Sequence, residues 1–164
     1  IFCDLSLHKI GQLEFEKTVA SFDYDAKGVK VKKGDPILAI HIPPKFKMSR
    51  QSVTEALKES YRYYGFQGRV AYQCDSWLLY PDFENVFVNG GNIAEFRTFF
   101  QVLRTTDNPQ FEDCWRLFKV GKIVDLDTLP TDTRLQRNML QHLKNGGKTG
   151  YGFGVLVFDG EKIL

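Results

Sequence analysis

The chain is poor in the residues that build metal and disulfide sites. Its 164 residues include three cysteines, Cys3, Cys74 and Cys114, with no C-x-x-C spacing, and three histidines, His8, His41 and His142, far apart in sequence. That excludes a C-x-x-C zinc framework and an even-numbered disulfide scaffold. It favours free thiols in a reducing, cytoplasmic compartment, and no metal is expected. Nor is there an excess of one charge. Lys and Arg number 22 against 20 Asp and Glu, a net +2, too little to argue for a nucleic-acid partner. No apolar run approaches the ~20 residues of a membrane span, and no signal-peptide pattern opens the chain, so no membrane partner is expected. The first residue is Ile1 rather than Met. The expectation is a fragment or processed product with an upstream part missing.

What is present is the composition of a soluble globular protein, 43% hydrophobic and 26% charged. A chain of this length suits one domain, residues 1–164. It buries roughly 70% of its unfolded surface without needing a staple.

The pattern along the chain is mixed. Phe2 to Ile10, a turn at Gly11-Gln12, and the alternation Leu13 to Val19 read as a β-hairpin. Val29 to Lys32 alternates again. Ile37 to Ile42 is a short apolar run of the kind buried on both faces. The period then changes. Val53, Ala56, Leu57, Ser60, Tyr61 and Tyr64 share one helical face. Ser52-Val-Thr-Glu55 fits a capping box, Ser49 is a second N-cap candidate, and Gly65 or Gly68 ends the helix. Val70 to Cys74 is a further buried strand. Ile37 to Cys74 is therefore a β-α-β unit with parallel strands and a right-handed crossover. Pro81-Asp82 begins a short helix, Phe96 to Arg104 reads as a strand, and Thr105 to Pro109 as a polar loop. Cys114 to Phe118 fits helix or strand. Thr133-Arg-Leu-Gln136 is another capping box, Leu135, Met139, Leu140 and Leu143 share its helix face, and Gly146-Gly147 suits the C-cap. Val155 to Phe158 is the closing strand.

Three stretches carry candidate chemistry. Gly147-Lys148-Thr149 looks like the end of a P-loop, but that template needs glycine at position 142, which is His142. A helix precedes the stretch and a strand follows, the reverse of a P-loop. It reads instead as a helix stop and a strand whose Gly150, Gly152 and Gly154 permit close backbone approach. The second stretch, Pro43 to Arg50, lies before the crossover helix, where free N–H groups favour an anion and Lys45, Lys47 and Arg50 add charge. A solvated basic loop is the alternative. The third, Gln73-Cys-Asp-Ser-Trp77, ends the second parallel strand, where ligands of α/β units lie. Cys74 is either a nucleophile paired with His41 or a buried small hydrophobe beside a core histidine.

The ordered set Leu7 to Phe15, Leu38-Ala-Ile-His-Ile-Pro43, Cys74-Asp-Ser-Trp-Leu-Leu79, Asn92-Ile-Ala-Glu-Phe96, Leu129 to Gln136 and the glycine-rich strand resembles the C-terminal domain of bacterial GNAT-like acyltransferases. The resemblance runs over nearly the whole chain. It implies an α/β (α+β) GNAT-like acyl-CoA N-acyltransferase fold: a mixed sheet with a central β-α-β unit and flanking antiparallel strands. In such two-domain proteins the N-terminal domain, with the first strand and two helices, would come from upstream. The resemblance also implies acetyl-CoA or another acyl-CoA as co-substrate and a small-molecule amine or peptide as acceptor. The cofactor would lie on Ile40, Ile42, Lys45, Lys47, Met48, Ser49 and Arg50, with its pyrophosphate at the crossover helix. His41 or Asp75 would serve as base, and Cys74 or Ser76 would protonate the leaving thiolate. Ordinary GNAT enzymes carry [QR]-x-x-G-x-[GA] at the helix start, whereas Pro43 to Gln51 holds no glycine. That departure supports the alternative of a catalytically degenerate GNAT-like domain that binds a ligand or partner.

Overall fold

The computed structural model describes residues 7–44, 46–88 and 91–164. Strands β1 (Leu7–Ile10) and β2 (Leu13–Val19) form the expected hairpin. Gly11 turns it with φ +63°, a left-handed conformation that suits glycine. A small hairpin of β3 (Tyr24–Ala26) and β4 (Val29–Val31) follows. The unit β5 (Pro36–His41), α1 (Arg50–Tyr63), β6 (Val70–Ser76) is the β-α-β crossover, and β5 and β6 pair in parallel. After 3₁₀ turns at Trp77–Leu79 and Pro81–Phe83 come α2 (Asn92–Thr98), β7 (Gln101–Asp107) and α3 (Cys114–Phe118). The chain ends with a 3₁₀ turn at Leu126–Thr128, α4 (Arg134–Lys144) and β8 (Gly150–Phe158). The large sheet runs β1-β2-β5-β6-β8-β7 and is antiparallel everywhere except at β5–β6.

The elements follow from local chemistry. Helix α1 starts at Ser49, whose Oγ accepts from the Ser52 N–H; Ser52 itself is inside the helix. Its apolar stripe, Val53, Ala56 and Leu57, is essentially inaccessible to water. Burying each Val or Leu on that stripe contributes about 1.5–3 kcal/mol. Helix α4 has the full capping box read from Thr133 and Gln136. Gly146 (φ +74°) and Gly147 end it, their N–H groups donating to Leu143 and His142 carbonyls.

Two expectations need correction. Phe96 is in a helix, not a strand, and the strand begins at Gln101 and runs through Thr105 to Asp107 where a loop was expected. The phenylalanines that look like a strand pack from α2 and its C-cap into the core, while β7 is a mostly exposed edge strand with little apolar signature. The closing strand, β8, is inserted between β6 and β7.

Three apolar clusters result. One lies between α1, α2 and the sheet, built on Leu13, Phe15, Leu57, Tyr72 and Leu156. One fills the opposite face with Phe22, Ile37, Phe153 and Val157, with the β3–β4 hairpin packed there through Tyr24 and Val31. The third is a separate cap of Phe83, Phe87, Phe111, Phe118 and Met139 around α3 and α4.

Candidate active site

The two parallel strands separate. Their pairing consists of Leu38 with Tyr72 and Ala39 with Gln73. Beyond it each strand keeps its outer neighbour. β5 stays on β2 to the rung Glu14–His41, and β6 stays on β8 to the rung Ser76–Gly152. The backbone of Ile40 and His41 on one side, and of Cys74, Asp75 and Ser76 on the other, therefore borders a wedge. Glycines hold β8 in place there. A Cβ at Gly150 would strike the Thr106 carbonyl, and one at Gly152 the Leu79 carbonyl. The close approach expected of these glycines is present.

The wedge opens on a cavity of about 760 Å³. One wall is apolar, with Ile40, Ile42, Phe46, Met48 and Trp77. Ile93 from α2 and Leu135 from α4 extend it. Helix α3 closes the far side with Asp113, Trp115 and Arg116. Arg116 Nε donates to Asp113 Oδ1 at 2.9 Å, so this cation is already engaged.

The residues named from sequence divide between two faces. Successive strand residues point to opposite sides of a sheet. Leu38, Ile40, Tyr72 and Cys74 belong to the cluster beneath α1. His41 and Asp75 have the other parity, so the fold does not pair Cys74 with His41. Burial, with Asp75 adding to it, pushes the Cys74 thiol up to about 12, leaving little thiolate at neutral pH. Cys114 is the second free, buried thiol, and Cys3 lies outside the described residues. His41 Nε2 instead lies 2.7 Å from Glu16 Oε2. Burial raises the Asp75 carboxyl above its ordinary value, against an opposing pull from Arg104. Ser76 Oγ accepts from the Leu78 N–H and caps the Trp77–Leu79 turn.

On the cofactor side, Ile40, Ile42 and Met48 line the cavity and Ser49 caps α1. No acidic residue stands in the first turn of α1, which leaves the helix dipole open to an anion. Lys47 is exposed and shares a smaller recess of about 320 Å³ with Lys9. Arg50 donates to Glu95 Oε1 at 3.0 Å and lies 4.7 Å from the Phe99 ring centre, so its charge is already engaged. Lys45 lies outside the described residues.

Sequence reasoning missed Glu14, Glu16, Asp113, Trp115, Arg116 and Tyr151, all on the cavity wall. Tyr151 belongs to the glycine-rich strand. Its hydroxyl accepts from Asn108 Nδ2 at 2.8 Å. Burial and the Asp113 carboxylate push this phenol up to about 12. Among the described residues no group of three His, Cys, Asp or Glu could hold a metal ion. No helix among them is long and apolar enough to cross a membrane.

Comparison with known proteins matches this arrangement to a described family. The model of the GNAT-like C-terminal domain matches residues 7–156. No curated protein matches the chain. Among solved structures, an acyltransferase in complex with decanoyl-CoA superposes with a TM-score of 0.69 at 20% identity, over 91% of this chain and 45% of that one. An acyltransferase with CoA and 10C-teicoplanin gives 0.66 at 21% identity, over 92% of this chain and 46% of that one. An acyltransferase mutant with octanoyl-CoA gives the same four values. The chain thus shares their fold and spans less than half the length of each.

Proposed function

The chain belongs to the GNAT-like C-terminal domain family, and from that premise we propose that it is an N-acyltransferase domain taking its acyl group from acyl-CoA in the β5–β6 wedge. The observation that carries this reading is the parting of the two parallel strands after Ala39 and Gln73, while each remains paired outward. A wedge of that kind leaves strand backbone free to bond an extended thioester arm, beside the start of α1, whose first turn carries no acidic residue.

The acyl group in this reading is longer than acetyl. Supporting it is the apolar wall from Ile40 through Met48 and Trp77 to Leu135, more than an acetyl group needs. The related folds were solved with octanoyl- and decanoyl-CoA. The acceptor is an amine. Its nitrogen attacks the thioester carbonyl, its proton passes to His41, and the sulfur leaves with the electron pair. The phenol of Tyr151 or the hydroxyl of Ser76 then protonates that thiolate. Asp75, whose carboxyl burial raises above its ordinary value, is the second candidate base.

Titration with acetyl-, octanoyl- and decanoyl-CoA tests the reading. Octanoyl- or decanoyl-CoA is expected to raise the thermal midpoint and to outcompete acetyl-CoA. No shift with any of them at millimolar concentration would reject it. A second reading, a binding domain without catalysis, draws on the glycine-free loop and on Arg50 being held by Glu95 and Phe99. It is favoured if acyl-CoA binds and no transfer to any amine follows.

A further inference from the structure

We propose that Glu16 is the positioning residue for His41, so that the two act as one proton-accepting unit at the mouth of the wedge; this rests on the acyltransferase reading above. The geometry is a diagonal across two antiparallel strands. Glu14 faces His41 and Glu16 faces Ala39, so the Glu16 carboxylate leans one rung to reach the imidazole. The Nε2–Oε2 distance of 2.7 Å is that of a charge-assisted bond. His41 is the last residue of β5, where that strand no longer has β6 beside it.

Burial decides what the pair is for. The side chains of His41 and Glu16 are 48% and 35% exposed. A pair so solvated adds little to folding, about 0–1 kcal/mol. It is also open to a substrate, unlike His142, which is buried and bonded to the Lys148 carbonyl. The other charged or titratable groups of the cavity are Glu14 on β2, Cys74 and Asp75 on β6, Asp113 at the N-cap of α3, Arg116 on α3, and Tyr151 on β8. Arg116 is held by Asp113, so it does not compete for Glu16.

The chemistry follows from the two ring nitrogens. A carboxylate on Nε2 selects the Nε2–H tautomer and leaves the Nδ1 lone pair as the acceptor. Among the described residues Nδ1 has no hydrogen-bond partner. As the amine–carbonyl bond forms and the carbon–sulfur bond breaks, the amine proton goes to Nδ1 and the electron pair to sulfur. The resulting imidazolium rests against the Glu16 carboxylate, which itself stays ionised.

Nitrogen-15 NMR of the histidine rings reads the pairing directly, whatever the acceptor. Neutral His41 is expected as the Nε2–H tautomer in the unmodified protein and as a tautomer mixture in Glu16→Ala. Glu16→Gln, whose amide oxygen still accepts from Nε2–H, should restore the tautomer. Identical spectra in the unmodified protein and Glu16→Ala would overturn the proposal. Octanoyl transfer to a simple primary amine, glycinamide, adds a functional readout. Glu16→Ala should lower kcat about ten- to a hundredfold, less than the roughly 10²–10⁴-fold of a general base itself because His41 remains, with KM for octanoyl-CoA within about twofold. Unchanged kcat would also overturn it. Failure of acetyl-, octanoyl- and decanoyl-CoA alike to stabilise even the unmodified protein is a different result, which rejects the acyltransferase reading and leaves the tautomer finding intact.

Discussion

At the scale of single residues, the fold sorts chemistry by which side of a strand a residue is on. Cys74 and His41 end neighbouring strands, and their closeness in strand order is legible in the sequence. Their parity separates them, and parity has meaning only once strand register is known. Cys74 is consequently a core group with an acid-base signature of its own. Its thiol rises from an ordinary 9.0 to about 12 in the folded chain. The folded state therefore keeps a proton that the unfolded chain releases. This contribution to stability is complete below about pH 9 and is lost as pH rises toward 12, by at most about 1.4 kcal/mol per pH unit. The buried phenol of Tyr72, also raised by burial, acts in the same sense. Thermal midpoints between about pH 8 and about pH 11 should fall more steeply in the unmodified protein than in Cys74→Ala. Equal slopes would remove the thiol as a source, whatever the absolute loss from the smaller side chain.

At the scale of elements, α4 shows how one side chain ties two helices. The Gln136 Oε1 accepts from the Asp132 and Thr133 N–H groups at 2.8 and 3.1 Å, while its Nε2 donates to the Leu117 carbonyl of α3 at 3.0 Å. Thr133→Ala should cost about 1 kcal/mol by chemical denaturation, the worth of an N-cap. Gln136→Ala should cost more, because it also removes the buried bond to the Leu117 carbonyl, at about 1–3 kcal/mol. A loss no larger than that of Thr133→Ala would mean the Leu117 bond contributes nothing.

The caps of α4, the period of α1 and the buried β5 and β6 were all legible in sequence, because each is a local pattern repeated over several residues. α3 is only five residues long, too short to show a period. The Phe96–Phe100 run misled because apolar residues there serve a helix and its C-terminal turn together. Glu14 and Glu16 read only as the polar side of a hairpin, since their meeting with His41 is made by pairing across strands. The anion site at α1 was legible as a position, but not Arg50's engagement with Glu95 and Phe99, which come from a distant element.

At the scale of the whole molecule, the cavity spans two packing units. Ile42 and Met48 touch both the sheet cluster and the α3–α4 cap. An acyl chain laid along them would join the two. Octanoyl-CoA at about a hundred times its Kd should add about 2.7 kcal/mol of stability. Hydrogen exchange should then slow both in residues 40–50 and in α3. Protection confined to residues 40–50 would exclude α3 from the site.

The place of β8 has a consequence for how the protein is made. Seven residues of β6, one whole wall of the wedge, find their antiparallel partner in β8, and so does β7. A growing chain releases β6 long before Gly150–Phe158 emerges. Until then it carries two strand edges that will lie in the middle of the finished sheet, still unpaired. Such edges are where chains aggregate, so the span between synthesis of Ser76 and of Phe158 is the time when a chaperone matters most. The wedge is shaped in that last step.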